Sequence, residues 1–77
     1  MGFDKVIEII ERIDQLIRLK ATGTPQELSL KLELSERTVY RYVDEMKALG
    51  VPIEYDKNYG SYIYTRSVPF HKPFEEE

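Results

Sequence analysis

Arg37 and Arg41 stand four residues apart, the spacing of one helical turn. Two guanidinium groups so placed project from one face of a helix. Each is a planar fork of donors that suits the O6 and N7 acceptors of guanine, or the oxygens of a phosphate. Ser35 precedes them and Thr38 lies between them. Hydroxyls at the start of a helix, beside its unpaired amides and the positive end of its dipole, favour a phosphate. Tyr40 could reach a sugar or a thymine methyl, and Lys57 lies in a separate polar turn where an ammonium could meet a phosphate or a minor groove. The chemistry open to this set is non-covalent recognition of a polyanion. Each residue has a plainer reading as well. Ser35 would cap any helix, Arg41 could pair with Glu45 at i+4, and exposed arginines and lysines are ordinary solvated charges.

The elements that must hold this set can be read from periodicity. Ser35 caps a helix over 36–49, Gly50 follows as its terminating residue, and Pro52 prevents continuation. Val39, Tyr42, Val43, Met46 and Leu49 share one face and are expected to close the core. At about 100° per residue, Arg37, Tyr40, Arg41, Asp44 and Ala48 then point away from it. Upstream, Thr24-Pro25-Gln26-Glu27 is a capping box with proline at the first helical position. It opens a helix over 25–32 that buries Leu28 and Leu32, with Leu30 at the margin. Glu33 and Leu34 form the turn between the two helices.

Residues 3–20 form the first helix, with Phe3, Val6, Ile10, Ile13 and Ile17 at helical spacing and Gly23 positioned to terminate it. Ile7, Ile9 and Leu16 widen the apolar stripe beyond the roughly 100° that one small core requires. Either two short helices cover the whole stripe, or a second subunit or the C-terminal tail does. Residues 53–56 and 61–64 read as strands of a hairpin around Lys57-Asn58-Tyr59-Gly60, with Tyr55, Tyr62 and Tyr64 assigned to the core rather than to base stacking. The fold class is α+β: a winged helix-turn-helix, three helices followed by a two-stranded hairpin wing. It occupies residues 1–65, and residues 66–77 form an extended tail.

The order of these elements places two helices around a tight turn, which is the helix-turn-helix arrangement, and sets a β-hairpin wing after it. Thr24-Pro25-Gln26-Glu27-Leu28, followed by Leu34-Ser35-Glu36-Arg37-Thr38-Val39-Tyr40-Arg41-Tyr42, resembles the helix-turn-helix of DeoR-type and related winged-helix regulators, the HTH_11-like group. Leu49-Gly50-Val51-Pro52-Ile53 and Gly60-Ser61-Tyr62 are similar to their approach to the wing, and the resemblance covers roughly residues 7–64. It implies sequence-specific binding of double-stranded DNA and gene regulation, with Ser35, Arg37, Thr38 and Arg41 at the DNA-facing positions. Three positions depart from the pattern. Ser29 replaces a small alanine, which is sterically harmless. Glu33 stands where glycine is frequent in the turn, and Ile63 where a basic residue is common on the outer face of the wing. Ile63 and Phe70 or Phe74 could cover each other.

Composition bounds these readings. A chain of 77 residues is one small domain. With no cysteine and His71 as the single histidine, disulfides, thiolate metal sites and histidine-ligated zinc are not expected. His71 reads as an ordinary tail residue, and Lys31 and Lys47 as solvated. No apolar run approaches the roughly 20 residues that span a bilayer, and the N-terminus lacks a secretory pattern, so a cytoplasmic location is expected. No nucleophile arrangement, paired carboxylates or phosphate-cradling glycine loop is present, so neither an enzyme nor a cofactor is expected. The net charge of −3 opposes polyanion binding, although Glu75, Glu76 and Glu77 account for it: the rest of the chain has 11 acids and 11 bases. The expected partners are double-stranded DNA and a second copy of the chain, paired through the first helix, the wing or the tail. The alternative is a winged-helix protein-protein interaction module without DNA binding, suggested by the net acidity, Ile63 and the tail.

Overall fold

The computed structural model describes residues 3–68, and the side chains from Lys5 onward. In chain order the elements are α1 (Phe3–Arg18), α2 (Pro25–Leu32), α3 (Glu36–Ala48), β1 (Ile53–Asp56) and β2 (Ser61–Tyr64). The arrangement is the expected three helices followed by a hairpin. Both strands and α2 have the bounds read from the sequence. α1 stops two residues early and α3 one residue early.

All three helices end in the same way. A residue just past the last helical turn adopts a left-handed conformation, and two amides fold back onto the final carbonyls. At α1, Lys20 N–H donates to Ile17 O and Ala21 N–H to Leu16 O, both at 2.9 Å. At α2, Glu33 N–H donates to Leu30 O (3.2 Å) and Leu34 N–H to Ser29 O (2.9 Å). At α3, Gly50 N–H donates to Lys47 O (2.9 Å) and Val51 N–H to Met46 O (3.1 Å). The φ angles are 54° at Lys20, 58° at Glu33 and 96° at Gly50, so only the last left-handed position is occupied by glycine. Lys20 thus does what was expected of Gly23. Gly23 serves the next helix instead, because a Cβ there would lie 2.4 Å from Glu27 Oε1. Its missing side chain makes room for the carboxylate that accepts Thr24 N–H at 2.8 Å, while Thr24 Oγ1 accepts Glu27 N–H at 3.1 Å.

The core consists of Ile13 and Ile17 of α1, Leu28 of α2, Val39, Val43 and Met46 of α3, and Val51, Ile53 and Tyr62. Ile9, Ile10, Leu16, Leu32, Leu34 and Tyr42 pack around it half-buried. Several expected core residues lie elsewhere. Val6 is exposed because the core forms against the C-terminal half of α1 and the stripe extends past it, and Ile7, one of the residues that widen the stripe, is exposed as well. Leu30 points opposite to Leu28 and Leu32 and is exposed. Leu49 is 57% exposed, since the turn at Gly50 brings Val51 into the core instead.

The strands pair antiparallel, with Ile53 opposite Tyr64 and Tyr55 opposite Tyr62. Alternation sends these four side chains to the core side, where the rings of Tyr55 and Tyr62 meet edge to face at 5.4 Å. Ile63 lies on the other face, opposite Glu54, and is half-buried. Two side-chain networks fasten the hairpin. In the first, Thr22 and Ser61 are fully buried with their hydroxyls 2.9 Å apart. Thr22 N–H donates to Ser61 Oγ (3.1 Å) and Tyr62 N–H to Thr22 Oγ1 (2.8 Å), so hydroxyls link the α1–α2 loop to the free edge of β2. In the second, Arg18 Nε lies 3.1 Å from both oxygens of buried Asp14, which also accepts the Tyr64 hydroxyl. Burial first, then the bond to Asp14, raises the Tyr64 pKa well above its usual value and keeps the phenol a donor. The chain beyond β2 stays against the domain. Thr65 N–H donates to Pro52 O (2.9 Å) and Arg18 Nη1 to Val68 O (3.1 Å). Phe70, His71, Phe74 and the proposed cover over Ile63 lie outside the described residues.

The left-handed turn at Glu33 makes a stability prediction. A residue with a Cβ at that φ is strained by about 1 kcal/mol or more, and glycine is not. Glu33→Gly is expected to raise the unfolding free energy by about 1 kcal/mol, which is several degrees in the melting temperature of a domain this size. Thermal melts by circular dichroism check this, and a lower midpoint would contradict it.

Candidate nucleic-acid interface

The sequence-predicted site residues sit on two elements. Ser35 is the N-cap of α3, with its Oγ accepting Thr38 N–H at 3.1 Å and lying 2.9 Å from Thr38 Oγ1. The two hydroxyls are thus coupled, Ser35 exposed and Thr38 half-buried. Glu36 occupies the first turn, where the helix dipole favours a carboxylate and where that carboxylate competes with an incoming phosphate.

Val39, Val43 and Met46 hold the opposite face of α3 in the core, so Arg37, Tyr40, Arg41 and Asp44 are exposed. Arg37 makes no ion pair among the described residues. Arg41 Nε lies 3.9 Å from Glu45 Oε2, with side chains 77% and 60% exposed. A pair so open to water is worth only a few tenths of a kcal/mol and yields readily to a better anion. Tyr40 and Asp44 lie on the hairpin side of α3. Burial first, and then the nearness of Tyr40, Asp44 and Tyr55, raises the pKa of the Tyr62 hydroxyl.

Lys57 belongs to the wing tip, apart from the α3 set. The Asp56 carboxylate orders that turn, accepting Asn58 N–H (2.7 Å) and Tyr59 N–H (3.1 Å), while Gly60 N–H returns to Asp56 O (2.8 Å). Lys57 is exposed there. Two cations behave differently from expectation. Lys31 is not merely solvated: its Nζ donates to Ala21 O at 2.6 Å and ties α2 to the middle of the α1–α2 loop. Lys20 places its Nζ 5.3 Å from the centre of the Tyr59 ring, bringing a cation to the wing tip that periodicity gave no sign of. The Asp14 and Arg18 pair had the i,i+4 signal, but the joining of Tyr64 to it depends on a contact fifty residues away.

Residues 8–62 match the family HTH_11, described as an HTH domain. The chain belongs to this family. No curated protein and no solved structure gives a significant match. The geometry agrees with the family: in this HTH domain α2 and α3 flank a turn of three residues, and the second helix carries its cations outward. The HTH domain is a DNA-binding helix-turn-helix of winged-helix form, and its family is typically non-enzymatic. Among the described residues no cluster of three or more histidines, cysteines or carboxylates is arranged to hold a metal, and no helix is long and apolar enough to cross a membrane.

The weak pair on the HTH domain's outer face gives a direct test. Glu45→Gln removes the carboxylate that engages Arg41. It is expected to change stability by less than about 0.5 kcal/mol and to tighten duplex binding severalfold. Fluorescence anisotropy with a labelled duplex checks this. Weaker binding in a folded variant would mean that Glu45 orients Arg41 rather than competing for it.

Proposed function

We propose that this HTH domain is a cytoplasmic transcriptional regulator, or the DNA-reading part of one, that binds double-stranded DNA sequence-specifically with α3 in the major groove. The observation that carries this reading is the exposure of Arg37 and Arg41 one turn apart, directly opposite the buried face of α3. In this reading the two guanidinium groups meet base edges or phosphates. Ser35 and Thr38 approach the backbone at the helix start, Tyr40 contacts a sugar or thymine methyl, and Lys57 brings the wing to the adjacent groove. The domain is residues 1–65 with a tail from 66. The protein-interaction alternative has less support, because Ile63 is half-buried opposite Glu54 rather than part of an open apolar patch.

We further propose that the domain binds as a homodimer on two half-sites. Val6 and Ile7, exposed on the first turns of α1, support this. Sedimentation velocity at micromolar concentration is expected to show a dimer, and a monomer throughout would reject it.

Duplexes selected from a random pool test the reading itself. With about four phosphate contacts, affinity is expected to fall roughly a hundredfold between about 50 and 200 mM salt. Arg37→Ala and Arg41→Ala are each expected to weaken binding to the selected sequence by about 1–3 kcal/mol and to relax its sequence preference. Undiminished binding by the folded double variant would exclude this face as the reader.

A further inference from the structure

The C-terminal end of α1 and the chain leaving β2 border a shallow, open cavity of about 260 Å³. Its polar lining comes from Arg18, Lys20, Tyr64, Arg66 and Ser67, and among the described residues no carboxylate lines it. Three cationic residues border this cavity, and one of them, Arg18, is already paired with Asp14, which leaves Lys20 and Arg66 as its available charges. The walls are held in place. Arg18 is fastened to Asp14 and to Val68 O, which keeps Arg66 and Ser67 beside the end of α1. Lys20 has a left-handed backbone, and its ammonium lies 5.3 Å from the centre of the Tyr59 ring. The Tyr64 hydroxyl is committed to Asp14 and shapes the wall without offering a donor. The space admits a phosphate group with several waters, at about 30 Å³ per water.

We propose that this cavity is an anion site that takes a phosphate group. Lys20 and Arg66 are its charged ligands and the Ser67 hydroxyl is a further donor. The phosphate comes either from a DNA backbone passing the wing or from a small phosphate-bearing molecule. The site shares no residue with the outer face of α3 and stands independently of the major-groove reading.

Titration of the ¹⁵N-labelled full chain with pyrophosphate tests the site. Saturable shifts are expected at the amides of residues 18–20 and 66–68. The double variant Lys20→Gly, Arg66→Gln is expected to bind about tenfold more weakly, as loss of charge-assisted contacts requires. Glycine suits the φ of Lys20, so Lys20→Gly alone provides a variant that keeps the fold. Absence of saturable shifts, or shifts of undiminished affinity in the double variant, would overturn the proposal. Duplex binding against salt then distinguishes the sources. A slope about one unit smaller in the double variant assigns the site to a backbone phosphate, and an unchanged slope beside lost pyrophosphate binding assigns it to a free one. Arg37→Ala, Arg41→Ala, which tests the major-groove reading, is expected to leave the pyrophosphate response intact.

Discussion

Burial of Val39, Val43 and Met46 fixes how α3 is rotated about its axis, and everything outward on that helix follows from it. Three apolar side chains at helical spacing cannot leave the core without re-exposing surface worth roughly 1.5–3 kcal/mol for each large residue. The same constraint sends Arg37 and Arg41 into solvent, Tyr40 and Asp44 toward the hairpin, and Glu45 close to Arg41. The cations are presented because their neighbours are buried, and no polar network is needed to aim them.

The helix endings then set how α3 stands relative to the rest. The left-handed turn at Glu33 stops α2 and lets Leu34 pack half-buried before Ser35 starts the next helix. The turn at Gly50 returns the chain to the core through Val51 and delivers Ile53 to the hairpin. On the far side, the Thr22–Ser61 hydroxyls and the Asp14–Arg18–Tyr64 group hold β2 against the α1 region. Every described buried side-chain polar atom has a partner, so these links join the elements without leaving unpaired groups inside. The wing is thereby tied to the same body that carries α3.

Local signals were the legible ones. The capping box around Thr24, the serine cap at Ser35, the glycine stop at Gly50 and the Asn- and Gly-bearing hairpin loop each act within a few residues, and they marked the elements to within two residues. Glu33 was legible as a departure, and it does occupy a left-handed turn. What could not be read was where the core ends. Val6, Ile7 and Leu49 follow the periodicity of buried residues, yet lie beyond the partners that would cover them. Lys20 took the role expected of Gly23 because a left-handed position need not be glycine, and because the space Gly23 frees belongs to Glu27. The roles of Lys31, Tyr64 and Ser61 depend on contacts between distant segments, which no spacing rule reports.

In the proposed complex the outer face of α3, and no other surface, enters the major groove. Paramagnetic relaxation measures this most directly, with a spin label on a thymine methyl position of a bound duplex and the ¹⁵N-labelled protein observed residue by residue. The strongest broadening is expected at Arg37, Thr38, Tyr40 and Arg41, with weaker broadening in the C-terminal half of α1. Broadening centred on α1 or α2 while α3 stays sharp would contradict this placement.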